Sequence, residues 1–223
     1  MKTYIIAIDG PAGAGKSTVC SDVAKALGIL HLDTGATYRT LALGLIRAGV
    51  DVTNEKDVTN VLDGIDISID FVDGKQLMYL NGEDVTSLIR TNEISQAASA
   101  SSVIGSVREK LVELQRETAK KISMIVDGRD VCTCVFPDAK YKFYLTADTK
   151  ERARRRSKQL LEQGIECDFD TLVAEIEERD FRDMNRPISP LRQAEDATLI
   201  DCTNMNQQQV VEKLLSYVSG ADL

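Results

Sequence analysis

The chain has 223 residues, of which 43% are hydrophobic and 28% charged, and its formal net charge is −8 with a pI near 4.8. These values are typical of a soluble globular protein, and the acidic excess argues against a broad nucleic-acid-binding surface. No apolar run approaches the ~20 residues that a membrane-spanning helix needs, and Asp9 cuts the apolar N-terminal stretch too short for a signal peptide, so we expect a cytoplasmic protein without a membrane partner.

The first motif lies at the N-terminus, where an apolar stretch ending at Asp9 predicts a buried strand and a helix is predicted over residues 19–27. Between them stands GPAGAGKST, which matches the phosphate-binding pattern G-x-x-x-x-G-K-S. Glycines let backbone N–H groups point at phosphate oxygens, and the helix start adds the positive end of its dipole. The predicted triphosphate-binding residues are Gly10, Pro11, Ala12, Gly13, Ala14, Gly15, Lys16, Ser17 and Thr18.

Two side chains of this loop have separate predicted tasks. Lys16 supplies a mobile positive charge for the β and γ phosphates, and Ser17 offers a hydroxyl to Mg²⁺. The alternative is a glycine-rich turn that binds nothing, which the flanking strand and helix disfavour.

A second buried strand is predicted over residues 28–33, followed by a helix that begins near Tyr38. Asp33 or Thr34 can cap that helix, and capping alone would explain both residues. Capping does not explain why Tyr38 and Arg39 lie just past the loop, which leaves a binding role open for them.

The stretch from residue 65 to 85 has a different pattern from the α/β segments around it, because apolar and polar residues alternate there. Asp73-Gly74 and Asn81-Gly82 are typical tight turns between antiparallel strands. We predict a small antiparallel meander within an insert at about residues 60–90, and not a separate domain, because about twenty residues cannot bury an independent core.

Residues 92–121 are predicted to be helical with a weak break near Gly105, and the apolar run over residues 122–127 predicts a third parallel strand. Asp127 at the carboxyl end of that strand is placed to hold Mg²⁺ or its water shell. The alternative is an aspartate that only forms a turn. The remaining predicted elements are strands over residues 141–145 and 197–201 and helices over residues 147–164, 172–183 and 206–217.

Arginines are concentrated in one part of this acidic chain, which suggests a small anionic ligand bound at one place. The run from Arg152 to Arg156 lies on the helix predicted over residues 147–164. Such runs usually form a solvated helix face, and Glu151 can pair with Arg155 four residues further on.

Strands separated by helices predict an α/β, three-layer P-loop fold in a single domain, residues 1–223. Its sheet has five parallel strands with helices on both faces, and the antiparallel insert is added to it. Ligands in such folds bind at the carboxyl ends of the strands. Gly10, Asp33, Asp127 and the arginines after the fourth strand all fall at that edge, so the candidate residues are predicted to converge there.

Several motifs together resemble those of the cytidylate kinase family of nucleoside monophosphate kinases, and the resemblance covers essentially the whole chain. The motifs are IDGPAGAGKS, DTGATYR, DGRD, VFPDA and ERDFRDMNR, together with the predicted meander. The resemblance implies transfer of the γ-phosphoryl group of ATP, with Mg²⁺, to CMP or dCMP. It places the insert in the monophosphate-binding region and makes residues 149–187 a lid that closes over ATP, with Arg154 and Arg156 as ATP-binding residues.

By position in these motifs, the resemblance also implies roles for single residues. The predicted catalytic residues are Lys16, Asp127, Arg129 and Arg179. The residues expected around the CMP phosphate or sugar are Thr34, Tyr38, Arg39, Arg129, Arg179 and Arg186. The residues expected to recognise cytosine are Ser99, Arg108 and Asp130. Asp183 is expected to contact the ribose. Thr34 stands where serine is also expected and keeps its hydroxyl, whereas Ser17 stands where relatives often have glycine, so Thr18 competes with it as a Mg²⁺ ligand.

The chemistry that these residues suggest needs no general base. A phosphate acceptor has a second pKa of about 6 and is therefore already ionised, so catalysis reduces to alignment and charge neutralisation. We interpret His31, the only histidine, as structural, and the five scattered cysteines as free thiols. Two alternatives stay open, another P-loop kinase that acts on AMP, dTMP or shikimate, and a GTP-dependent switch, although its N-K-x-D motif is missing. We expect a monomer.

Overall fold

Strands and helices alternate along the chain in the computed structural model, which describes residues 3–120, 122–162 and 164–219. The strands are β1 (Ile5–Asp9), β2 (Leu30–Asp33), β3 (Ile67–Val72), β4 (Lys75–Leu80), β5 (Glu83–Asp84), β6 (Met124–Gly128), β7 (Tyr141–Thr146) and β8 (Thr198–Asp201). The helices are α1 (Lys16–Leu27), α2 (Thr34–Arg47), α3 (Glu55–Val61), α4 (Asn92–Ser101), α5 (Gly105–Ala119), α6 (Thr149–Glu162), α7 (Phe169–Asn185) and α8 (Gln207–Ser219). None of the helices within those ranges is both long and apolar enough to cross a bilayer.

The main sheet has five parallel strands in the order β2-β6-β1-β7-β8, which confirms the predicted α/β fold class. Its strands are apolar on both sides because helices cover both faces. Ile6 and Ile125 pack with α1 and α8 on one face. Ala7 and Val126 face the other side, where they pack with the end of α5 and the turn after β6. The carboxyl ends of all five strands therefore form one edge, where β1, β2 and β6 bring Asp9, Asp33 and Asp127 close together.

The insert is a three-stranded antiparallel sheet in the order β3-β4-β5, as predicted. Asp73 and Asn81 have φ values of 50°, and the glycine after each also has positive φ, which is the backbone that two-residue hairpin turns require. Met78 of β4 is buried in the same cluster as Leu41 of α2 and Val107 of α5. The insert therefore shares its core with helices of the main fold.

The helix boundaries differ from the sequence predictions in two places. Helix α2 begins at Thr34 instead of near Tyr38, because the side chain of Asp33 accepts a hydrogen bond from the Ala36 N–H at 3.1 Å. The weak break predicted near Gly105 within residues 92–121 is confirmed and is complete, since α4 and α5 are separate helices and Ile104 before α5 has an extended backbone; residue 121 lies outside the described residues. Helix α3 has no counterpart in the predictions, because its seven residues bury only Val58.

Candidate active site

The loop between β1 and α1 has the geometry of a phosphate cradle. Gly10 has φ 151°, and a Cβ atom there would lie 1.9 Å from the carbonyl oxygen of Leu145, so no other residue fits without moving β7. Helix α1 begins at Lys16 without a side-chain cap, which leaves the N–H groups of its first turn free of side-chain acceptors. Such a helix start attracts anions through its N–H groups and its dipole.

Lys16 is the positive group of this loop, and its environment disfavours its charge. Its side chain is buried, and Nζ donates hydrogen bonds to the carbonyl oxygens of Gly10 at 2.6 Å and Pro11 at 2.8 Å. Burial, followed by the charge of Arg129, lowers the pKa of Lys16 to about 7, against the opposing effect of Asp127. A bound phosphate would be a negatively charged partner for this side chain and would favour its charged ammonium form.

Arg129 lies between the loop and the arginines of α7. Its Nε donates to Asp183 at 2.9 Å, and its charge acts on both Lys16 and Arg179. Burial alone would disfavour its charge, but Asp183 outweighs burial and raises the pKa of Arg129. Arg129 is therefore charged under all ordinary conditions and is held in place from one side.

Arg179 on α7 forms no ion pair within hydrogen-bonding distance among the residues described, although the charge of Asp183 acts in its favour. Its buried Nε finds no hydrogen-bond acceptor among the residues that the structure describes. Burial, followed by the charge of Arg129, lowers the pKa of Arg179 to about 10. Because a buried charge without a partner is costly, this position fits an anionic ligand.

Asp130 is buried between two arginines. Arg108 of α5 pairs with one of its oxygens, and Arg186 pairs with the other at 3.2 Å. The guanidinium of Arg108 also lies 5.8 Å from the centre of the Tyr38 ring. Burial raises the pKa of Tyr38 to about 12, so it stays a neutral phenol. The predicted base-reading residues Arg108 and Asp130 are therefore in direct contact with each other.

Two further predicted residues lie around this cluster. Ser99 of α4 accepts a hydrogen bond from Arg182 at 3.1 Å. Arg39 pairs with Asp33 at 2.8 Å, at the start of α2. The described part of the chain thus brings the predicted acceptor residues of α2, α4, α5, the turn after β6, and α7 with its C-terminal end to the same edge of the sheet.

Asp127 at the end of β6 is held from two sides. Its Oδ1 forms a hydrogen bond of 2.7 Å with Nε2 of His31, and its backbone carbonyl accepts a hydrogen bond of 2.7 Å from the Thr34 hydroxyl. Burial opposes the charged imidazole, but the hydrogen bond to Asp127 and the charge of that carboxylate outweigh burial and raise the pKa of His31. His31 therefore lies at the candidate site, where sequence reasoning gave it no role.

The arginines of α6 divide into buried and exposed members. Arg152 is buried, donates to the carbonyl oxygen of Ala12 in the loop at 2.9 Å and pairs with Asp180 of α7 at 2.6 Å. Arg155 pairs with Glu151, as predicted, and donates to the Cys202 carbonyl at 2.7 Å. The side chain of Arg154, a predicted ATP-binding residue, is 70% exposed and also pairs with Glu151. Arg156, the other predicted ATP-binding arginine, is partly buried on the same helix.

The fold agrees with the comparisons with known proteins. The family model for cytidylate kinase matches residues 6–220. The chain belongs to the cytidylate kinase family. The family resemblance inferred from the sequence motifs is therefore confirmed, and ATP is the phosphoryl donor that a kinase of this family implies.

Relatives in the cytidylate kinase family match nearly end to end. A cytidylate kinase from Caldicellulosiruptor saccharolyticus is 49% identical over 215 residues, which is 96% of this chain and 95% of that protein. One from Mannheimia succiniciproducens is 45% identical and covers 97% of this chain and 96% of its own length. A shikimate kinase structure from Bacteroides thetaiotaomicron has a TM-score of 0.50 at 13% identity, covering 97% of this chain and 98% of that one, and shows likeness of fold alone.

Sequence reasoning on this member of the cytidylate kinase family missed residues that act over long sequence distances. Asp9 is fully buried, and its two oxygens accept the N–H groups of Val131 and Cys132, each at 2.8 Å. Burial raises the pKa of Asp9 to about 6. Asp9 thereby ties the end of β1 to the turn that follows Asp130. A carboxylate at the end of a strand next to a phosphate loop was the one signal available in the sequence.

Proposed function

We propose that this chain transfers the γ-phosphoryl group of ATP to CMP and dCMP, forming CDP, dCDP and ADP. Membership of the cytidylate kinase family supports the proposal. The observation that carries it is the position of Arg129, which directly follows β6 and whose Nε donates to Asp183 of α7 at 2.9 Å. From there its charge lowers the pKa of both Lys16 of the loop and Arg179 of α7. The loop would hold a triphosphate, and Arg179, whose Nε has no acceptor among the residues described, would hold a second phosphate. With Arg129 between them, these parts suit transfer from one nucleotide to another.

The donor side is assigned to the backbone of the loop. Residues 10–18 would cradle the phosphates of ATP, with Lys16 on the β and γ phosphates. Arg154 and Arg156 remain proposed ATP-binding residues of the lid, residues 149–187. Arg154 would have to leave Glu151 to reach the nucleotide.

The acceptor side is assigned to side chains. Arg39, Arg129, Arg179 and Arg186, with Thr34 and Tyr38, would surround the phosphate or sugar of CMP, and Asp183 would contact the ribose. Cytosine carries an exocyclic amino donor, which the carboxylate of Asp130 can accept, and Arg108 can donate to a ring acceptor. Ser99 would complete the base site. Uracil presents an acceptor where cytosine has its amino group, so Asp130 would repel it.

Mg²⁺ fits the donor groups at this edge. Asp127 offers a buried carboxylate whose Oδ2 has no hydrogen-bond partner among the residues described, and Ser17 and Thr18 place exposed hydroxyls on the first turn of α1. Oxygen ligands of this kind are the ones that Mg²⁺ prefers. We infer that Asp127 holds it, directly or through water, together with Ser17 or Thr18. When bound, Mg²⁺ neutralises the charge that develops on the phosphates.

The residues of this chain then act by position and charge. The acceptor phosphate has a second pKa of about 6 and attacks without a general base. Arg179 and Arg39 would hold that phosphate in line with the donor. Lys16 and Arg129 would neutralise the transferring group, where fixed charges in a site without water act most strongly.

The proposal is tested with an acceptor panel in which ADP formation is coupled to an optical readout. CMP, dCMP, UMP, AMP, dTMP and shikimate are each offered with ATP and Mg²⁺. We expect CMP and dCMP to be phosphorylated and shikimate to give no signal. A preference for any other acceptor, or no transfer to CMP, would overturn the proposal. We also expect the enzyme to act as a cytoplasmic monomer.

A further inference from the structure

Three potential metal ligands of different chemistry meet beside the phosphate loop. The Cys20 Sγ, a ring nitrogen of His31 and a carboxylate oxygen of Asp127 lie within 4.8 Å of one another. Each comes from a different element, α1, β2 and β6. A thiol and an imidazole are not ligands that Mg²⁺ prefers, so the cluster has a chemistry of its own.

The fold itself brings these side chains together. Strands β2 and β6 pair in parallel with Asp33 opposite Asp127 and His31 opposite Ile125, so side chains 31 and 127 point to the same face. Helix α1 covers that face, and Cys20 packs in the same buried cluster as Ile125. Cys20 lies four residues after Lys16, on the same side of the helix as the phosphate-binding lysine.

We propose that Cys20, His31 and Asp127 form a binding site for a thiophilic divalent cation of the Zn²⁺ class, and that its occupancy holds the kinase inactive. Three protein ligands leave a fourth, open position of the tetrahedral shell for water or a phosphate oxygen. Tetrahedral bonds of about 2.0–2.3 Å place ligand atoms about 3.3–3.8 Å apart. The ligand atoms of the cluster, within 4.8 Å of one another, need only small side-chain movements to reach that spacing.

The exchange of protons on binding is simple. The Cys20 thiol releases its proton and binds as a thiolate, and Nε2 of His31 gives up the proton of its hydrogen bond to Asp127, to solvent or to Nδ1. The metal then replaces that hydrogen bond, whose length is 2.7 Å. Asp127 is thereby withdrawn from the Mg²⁺ role assigned to it above, and this inhibitory consequence rests on the proposed function.

Cys132 provides a matched control in the same protein. It is also a buried thiol close to a carboxylate, Asp9, but its Sγ lies against the carbonyl oxygens of Ala7 and Phe143. His31 is the only histidine of the chain and lies at the Cys20 site. Cys132 therefore lacks the imidazole that would complete a comparable set.

The binding claim is tested by titrating the ligand-free protein with Co²⁺, which replaces Zn²⁺ and gives a near-ultraviolet charge-transfer band with thiolate. We expect a band that saturates at one equivalent of Co²⁺ and that is lost in Cys20→Ser and Cys20→Ala. In His31→Gln the affinity for Co²⁺ should fall by at least about tenfold. Cys132→Ser should keep the band, and circular dichroism confirms that each variant is folded. A band that survives both Cys20 substitutions, or no band at millimolar Co²⁺, would overturn the site.

The inhibition claim is tested separately with Zn²⁺ at constant millimolar Mg²⁺, using CMP as acceptor. We expect Zn²⁺ to inhibit the wild type and Cys132→Ser equally, a chelator to restore activity, and Cys20→Ser to need at least about tenfold more Zn²⁺. Equal inhibition of the wild type and Cys20→Ser would overturn the inhibitory role. A protein that gives the cobalt band but does not phosphorylate CMP would refute the proposed function and leave the metal site standing.

Discussion

The donor loop and the acceptor region would both bind phosphate, but they are built in opposite ways. The loop is a continuous stretch, residues 10–18, whose contacts come from the backbone and the start of α1. The acceptor region is assembled from side chains on five elements, held by ion pairs such as Arg129–Asp183 and Arg108–Asp130. On the proposed function, the local backbone cradle would specify only that a triphosphate binds, whereas the distant side chains would specify which acceptor receives the phosphoryl group.

Arg129 breaks this division, because its charge acts on both regions, and we expect the largest effect from its removal. Arg129→Ala should lower kcat at least about a hundredfold, since a cation on the transferring phosphoryl group contributes on the order of 10³ to 10⁵ in rate. Arg129→Lys, which keeps a charge but loses the planar fork, should recover only part of it. Steady-state kinetics with CMP measure both variants, with circular dichroism as the control for folding. Near-normal kcat in Arg129→Ala would remove Arg129 from the mechanism.

Asp9 ties the two regions together, and its ionisation should weaken the fold. Its pKa is raised from 3.8 to about 6, so its stabilising contribution is complete below the unfolded value and is lost as pH rises through about 6. Two pKa units correspond to about 3 kcal/mol of unfolding free energy between about pH 3 and pH 7. Chemical denaturation at several pH values should show this slope in the wild type and a flatter one in Asp9→Asn. The same slope in both proteins would contradict the assignment.

Lys16 allows the donor loop to be tested separately from the acceptor region, because phosphate binding should change the protonation of its side chain. Its pKa of about 7 in the free protein means that it is mostly neutral at pH 8, and a bound triphosphate should restore its charge. ATP binding should therefore take up close to one proton at pH 8 and far less at pH 6. Calorimetry in buffers of different ionisation enthalpy measures this uptake. Lys16→Arg, which is always charged, should show none, and uptake that is unchanged in that variant would refute the assignment.

The smallest effect is expected at Arg154, on the exposed side of α6. Its ion pair with Glu151 is open to solvent, and such pairs contribute little to stability. Arg154→Ala should leave the unfolding midpoint unchanged, so any rise in the KM for ATP would report the proposed lid contact.

Arg152→Ala is the contrasting variant on the same helix, because it leaves Asp180 buried without its partner and should destabilise the protein by about 3–5 kcal/mol. Equal stabilities of the two variants would contradict the assignment of Arg152 to the buried side of α6 and of Arg154 to its exposed side.

The local features of this protein were predictable from sequence. The phosphate loop and both hairpin turns depend on neighbouring residues with special backbone angles, and they were found where they were predicted. The pairs His31–Asp127 and Asp9–Val131 were not predictable, because they join residues 96 and 122 positions apart and depend on the strand order. Arg152 and Arg154 are the same residue type two positions apart on α6, and the packing of α6 against α7, where Arg152 pairs with Asp180, decides which one is buried.

The central claim is that distant side chains select the acceptor while the loop stays generic. The most direct test is the ratio of kcat/KM for CMP over UMP in the intact enzyme and in Asp130→Asn. We predict a strong preference for CMP that falls by about tenfold or more in the variant, since a good pair of hydrogen bonds to a base contributes about 1–3 kcal/mol of discrimination, with the KM for ATP unchanged. Equal rates with CMP and UMP in the intact enzyme, or an unchanged ratio in the variant, would contradict the account.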